Sequence, residues 1–115
     1  MTALPVDDPA RIDVRITTSA EDCSVAVHGE VDSSTAPGLR DCLLEVLERP
    51  GLSGVRVDLS QVTFLDSAGL SALAVAHRAA VSAGRTMTVR CGTARAVVRP
   101  LQITGLWDVF AVVDV

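Results

Sequence analysis

Among the side chains of this sequence that can do chemistry, one serine stands out by its place. Ser67 lies in "FLDSAGL", between Asp66 and an Ala-Gly pair, where a strand-like pattern gives way to a helix-like one. Its hydroxyl could attack a substrate, cap a helix or accept a phosphoryl group. A hydrolase nucleophile elbow requires G-x-S-x-G, and "LDSAG" lacks the leading glycine and any acid-histidine pair downstream. The two histidines, His28 and His77, fall in separate elements, and Cys23, Cys42 and Cys91 show no C-x-x-C spacing, so no metal set is spelled out. His77 reads as a helix residue at the edge of a core. Lysine is absent, as are the glycine-rich phosphate loops, which argues against nucleotide binding or hydrolysis by the chain itself.

What remains is the helix start. Asp66 reads as an N-cap whose carboxylate accepts from the unpaired backbone N–H groups of the first turn, with Ser67 inside that turn. Ordinary capping accounts for both residues. The same place also favours negative charge, so a phosphate on Ser67 would sit near unpaired N–H groups and the positive end of the helix dipole. Gly69, without a Cβ, would let another backbone come close or meet a local need of the turn. Leu65 and Leu70, which flank the serine, are expected to divide between core and rim.

The elements that must position this serine follow from periodicity. Ile12, Val14 and Ile16 alternate with polar residues, as do Val25 and Val27, and the spacer Ser19-Ala20-Glu21-Asp22 has hairpin length. Two antiparallel strands are predicted. Ser34 and Thr35 are capping candidates for a helix with Pro37 in its first turn. Along it Leu39, Cys42, Leu43, Val46 and Leu47 form one stripe opposite Arg40, Asp41, Glu45 and Glu48, and Pro50-Gly51 stops it. Val55, Val57 and Leu59 make a third strand, and a second helix carries Leu70, Leu73, Ala74, His77 and Val81 on one face up to Gly84. "RTMTVRC" is a fourth strand, joined to the third by a parallel crossover. A last helix is expected from about Ala94 to Thr104, kinked or restarted at Pro100, with a short closing strand near Val109 to Val113. The expected fold is α/β: a mixed sheet of four or five strands flanked by helices, in the order β-β-α-β-α-β-α with a possible terminal strand.

Composition limits the rest. A chain of 115 residues, 49% hydrophobic and 21% charged, suffices for one compact domain, with residues 1–11 as a flexible leader. A net charge of −4, and only Phe64, Trp107 and Phe110 as aromatics, argue against nucleic-acid binding. The start lacks the basic and apolar regions of a signal peptide, and no apolar run has the length of a membrane span. Three cysteines, an odd number inside apolar segments, suggest reduced, buried thiols and a cytoplasmic location.

Three segments, "GEVDSSTAPGLRD", "VDLSQVTFLDSAGLSAL" and "LQITGLWDVF", occur in an order and spacing that resembles the anti-sigma factor antagonists, small bacterial proteins of the STAS domain class. The similarity runs from about Val14 to Val113. It implies a partner-switching protein with no cofactor, and not an enzyme. Such an antagonist binds an anti-sigma factor that is itself a serine kinase of the histidine-kinase-like ATPase type, and so frees a sigma factor. The kinase then phosphorylates it, and a protein phosphatase restores it. The family's phosphoacceptor, the first hydroxyl after the aspartate of D-S-[ST]-G, falls on Ser67, and Ala68 stands where many relatives carry a second hydroxyl. The family's G-E-[LIV]-D segment falls on Gly29 to Asp32, which makes Asp32, Ser33 and Ser34 partner-contact candidates, beside Leu65, Asp66, Ala68, Gly69 and Leu70 around the acceptor. The competing expectation is a constitutively bound STAS module of a stressosome-like or lipid-transporter assembly, in which Ser67 is only a cap.

Overall fold

The computed structural model describes residues 12–110 and 112–113, so the expected leader, residues 1–11, lies outside the described residues. Alternating apolar and polar residues produce β1 (Ile12–Ser19) and β2 (Asp22–Val31), an antiparallel hairpin in which Ser19 faces Asp22 across Ala20 and Glu21. After them come α1 (Ala36–Leu47), β3 (Gly54–Leu65), α2 (Ser67–Ser82) and β4 (Thr86–Arg90). The chain continues with α3 (Arg95–Thr104), α4 (Leu106–Val109) and β5 (Val112–Val113). The five strands lie side by side in chain order, and β2, β3, β4 and β5 run parallel. A helix between each successive parallel pair lets the chain return to the same sheet edge, as parallel pairing requires.

Each long strand buries one face. Val14, Val25, Val57 and Val89 are interior, whereas their neighbours Arg15, Ser24 and Arg56 are exposed. The α1 stripe Leu39, Cys42, Leu43, Val46 and Leu47 joins the same core, as the spacing predicts. All three cysteines are free and buried. Burial pushes the Cys42 thiol up, the Glu45 carboxylate adds to this, and the Arg49 guanidinium opposes it, so the thiol stays protonated and inert at neutral pH.

Four expectations are corrected. β3 does not end at Leu59 but continues to Leu65, because two register shifts against β2, between Ala26 and His28 and between Gly29 and Glu30, keep the pair together past the irregularity. On α2 the buried stripe is Gly69, Leu70, Ala72, Leu73, Ala76 and Ala80, and Val81 is 65% exposed. Small residues form that stripe because the helix lies close to its neighbours: a Cβ on Gly69 would come within 2.5 Å of Leu65 Cδ1 and 2.8 Å of Val31 Cγ1. The helix does not restart at Pro100, which sits inside α3; one lost backbone bond is outweighed by burial of Val97 and Leu101 on the same face. The restart comes instead at Gly105, whose φ of 78° only glycine adopts cheaply. Residues 106–109 are therefore a helical turn, so Val109 belongs to α4 and not to the closing strand, which among the described residues comprises Val112–Val113.

Candidate functional site

Ser67 owes its position to the end of β3. Because β2 and β3 are parallel and Val31 faces Leu65, both strands stop at the same sheet edge, and each is followed by a helix start. The Asp66 N–H donates to the Val31 carbonyl at 3.2 Å, which ties the two ends together. The chain then turns into α2 with Asp66 as N-cap: Asp66 Oδ1 accepts from Ala68 N at 2.9 Å and from Gly69 N at 3.2 Å. The expected cap is present. Ser67 is the first helical residue and is exposed.

The neighbouring loop is built differently from the expectation. Thr35 occupies the N-cap of α1, but its hydroxyl does not cap the helix. It turns back, accepting from Asp32 N at 2.9 Å and donating to the Glu30 carbonyl at 2.8 Å. Asp32 supplies the turn instead, with Oδ1 accepting from Ser34 N at 2.9 Å and from Ser34 Oγ at 2.7 Å. The short carboxylate of an Asx turn reaches these donors more directly than a serine on the turn itself could. Ser34 is thus bound to the turn and is not its cap. Thr35 is 2% exposed and is the one buried polar residue among those described.

These strand ends bring Asp32, Ser33 and Ser34 next to the Asp66–Leu70 segment. Ser33 and Ala68 line a common cleft of about 210 Å³ between α1 and α2, with Pro37, Arg40, Ser71 and Val75. Ser33, Ser34 and Ser67 are exposed, and Asp32, Asp66 and Ala68 are half-buried. Leu65 and Leu70 do not divide between core and rim: both are buried, as is Gly69, because the close approach of α2 to β2 and β3 draws all three inward.

The Asp66 carboxylate is turned into the helix N–H groups, and no side chain among the described residues hydrogen-bonds the Ser67 hydroxyl. A nucleophilic serine needs an adjacent base; here a base would have to come from another molecule. No group of three or more His, Cys, Asp and Glu among the described residues could hold a metal ion. His77 packs its ring against Phe110, 5.7 Å between centroids, as an edge-of-core residue. No helix among the described residues is long and apolar enough to cross a membrane.

Residue-level reading of the sequence missed three neighbours of the site. Thr35 was visible only as a capping candidate, and its role depends on the turn. Phe64, two residues before the cap, is 45% exposed beside Glu30, and the extension of β3 past Leu59 puts it there. Arg40 lies on the exposed side of α1, as the spacing predicts, and what the spacing does not show is that it also walls the α1–α2 cleft.

Residues 14–113 match the family model described as "Mlab, STAS domain". The chain is 30% identical over 91 residues to an anti-sigma-B factor antagonist of Listeria monocytogenes, covering 79% of this chain and 78% of that protein. Among solved structures it resembles an anti-sigma factor antagonist from Mycobacterium paratuberculosis, with a TM-score of 0.78, 29% identity, and coverage of 96% and 92% of the two chains. The unphosphorylated anti-sigma factor antagonist SpoIIAA shares the fold, with a TM-score of 0.76 at 14% identity over 89% of this chain and 87% of that one.

Proposed function

This chain belongs to the STAS domain family, and from that premise we propose that it is a single-domain anti-sigma factor antagonist whose binding is switched off by phosphorylation of Ser67. The observation that carries the reading is the exposed Ser67 hydroxyl at the first position of α2, beside the Asp32–Ser34 turn and without a base of its own. A serine so placed suits modification by a partner that brings both base and phosphate. In the unmodified form, the turn and the first residues of α2 offer one continuous surface to an anti-sigma kinase of the histidine-kinase-like ATPase class. Asp32, Ser33, Ser34, Asp66, Ser67 and Ala68 contribute polar and small contacts, and Leu65, Gly69 and Leu70 support them from beneath. The antagonist carries no catalytic group and no cofactor, and a protein phosphatase of the cytoplasm resets it.

Phosphate brings about −1.5 to −2 charges to a surface that already holds Asp32 and Asp66, and like charges forced together at an interface cost several kcal/mol. Ser67→Ala should therefore keep binding the kinase after ATP is added, whereas Ser67→Glu should bind more weakly; a loss of about 3 kcal/mol is roughly a hundredfold in affinity. Calorimetric titration against the ADP-loaded kinase, with mass spectrometry of the reacted wild type, tests this. Phosphate mapped to Ser33, Ser34 or Thr35 with Ser67 unmodified refutes the assignment. Equal affinity of the phosphorylated protein and Ser67→Ala would put the constitutively bound module in its place.

A further inference from the structure

A phosphate on Ser67 would find most of the backbone donors of the first helical turn already engaged. Asp66 Oδ1 already holds the Ala68 and Gly69 N–H groups at 2.9 and 3.2 Å, and the Leu70 N–H donates to the Asp66 carbonyl at 3.0 Å. The cap is itself an anion, and Glu30 and Asp32 stand at the neighbouring strand end. A group with about −1.5 to −2 charges beside these carboxylates is stabilised by any cationic side chain within reach.

The packing of α1 on α2 supplies one. Ser67, Ser71 and Val75 follow each other at i, i+4 and i+8 on one flank of α2. Ser71 and Val75 line the cleft of about 210 Å³, opposite Ser33, Pro37 and Arg40 of the β2–α1 segment; Ser67, one turn before Ser71, continues the row past the lining residues at the helix-start end, or mouth, of the cleft. Among the described residues Arg40 is the one charged side chain in the cleft wall. Both helices start at the ends of parallel neighbouring strands, and Cα–Cβ bonds lean toward a helix's N-terminus, so the Arg40 Cβ leans toward the mouth, and the long flexible stem beyond it can carry the guanidinium there. Its present partner is the adjacent Asp41 at 3.3 Å, with the two side chains 44% and 71% exposed, an ion pair easily exchanged. Neither His28, on the strand β2, nor His77, against Phe110, lines this cleft.

We propose that Arg40 is the intramolecular counter-charge for phosphorylated Ser67: its guanidinium leaves Asp41 and pairs with the phosphate, bridging α1 and α2 across the mouth of the cleft. The proposal rests on the reading of Ser67 as phosphoacceptor and adds where its phosphate goes. A planar guanidinium takes two phosphate oxygens at once, so the modified side chain lies over the Ser33–Ala68 surface. Phosphorylation then blocks the docking surface by covering it as well as by charge.

The test needs no kinase. Phosphoserine is built into position 67 during protein synthesis, and the phosphate is titrated by phosphorus NMR in wild type, Arg40→Gln and Arg78→Gln; Arg78 is an exposed arginine of α2 that does not line the cleft. A nearby cation favours the dianion, so the second ionisation should move up by about half a unit or more in Arg40→Gln and stay in place in Arg78→Gln. The carboxylates around the mouth, Asp32, Asp41, Asp66 and Glu30, are common to all three proteins. Coincident titrations of Arg40→Gln and wild type, or an equal shift in Arg78→Gln, would overturn the pairing. In wild type the Arg40 Nε–H resonance should move downfield when position 67 carries phosphate; an unmoved resonance also overturns it, and this measurement needs no variant to fold. Failure of a kinase to modify Ser67 would count against the functional reading and leave the titration result standing.

Discussion

Thr35 does for one half of the site what Asp66 does for the other. Both hold a loop by side-chain bonds to backbone, but Asp66 works at a half-exposed cap and Thr35 inside the protein. Thr35→Val keeps the shape and leaves the Asp32 N–H without its partner. A half-buried donor stripped in this way costs on the order of 1 kcal/mol, a Tm drop of roughly 5 °C for a domain of this size. Thr35→Ser should restore most of it, and thermal melts of the three proteins check this. Asp66 and Ser67 were legible in the sequence because capping is a local relation between neighbours. The Thr35 clamp was not, because its acceptor, the Glu30 carbonyl, lies in a strand whose end is set by pairing with β3.

At the scale of elements, the interface between α2 and the strand ends is the tightest place near the site. A Cβ on Gly69 would meet Leu65 Cδ1 at 2.5 Å, Val31 Cγ1 at 2.8 Å and the Val31 carbonyl oxygen at 3.3 Å. Gly69→Ala should thus lose about 1–3 kcal/mol through overpacking, against about 1 kcal/mol gained in helix propensity. The measured sum should be a net loss in urea unfolding, and a gain in stability would show that the helix has room to shift. The α1 stripe was readable because long apolar side chains declare a period. On α2 the buried face is made mostly of alanine and glycine, which look alike whether they face core or water, so Val81 was drawn into the wrong stripe.

Across the whole molecule, the sheet buries one face and leaves a polar one, where Asp58 on β3 faces Arg90 on β4. Burial pushes the Asp58 carboxyl up, but hydrogen bonds from Ser60 and the Arg90 guanidinium at 3.3 Å outweigh it and hold the carboxyl below its ordinary value. A lowered folded value means stability that is present above the ordinary aspartate range, about pH 4, and is lost as pH falls through the folded value. The side chains are 24% and 37% exposed, so solvent screens the pair and its worth stays under about 1 kcal/mol. Wild type should lose its small advantage over Asp58→Asn on acidification below about pH 4. Unfolding curves collected from pH 6 to pH 2, about the range in which such carboxyls titrate, check the sign.

The sequence by itself determined the order of elements, the hairpin, the parallel crossover, the α1 stripe and the Asp66–Ser67 helix start. Each of these rests on relations a few residues long: a period of two, a period near 3.6, or a cap beside its helix. Tertiary structure alone decided where β3 ends, which face of α2 is buried, and that Pro100 is carried through while Gly105 breaks the helix. It also decided that Arg40, Ser33 and Ala68 share a cleft. Those outcomes depend on strand register and on how closely two helices can approach, and both are set by residues some thirty positions apart, such as Val31 and Leu65, whose contact no local pattern announces.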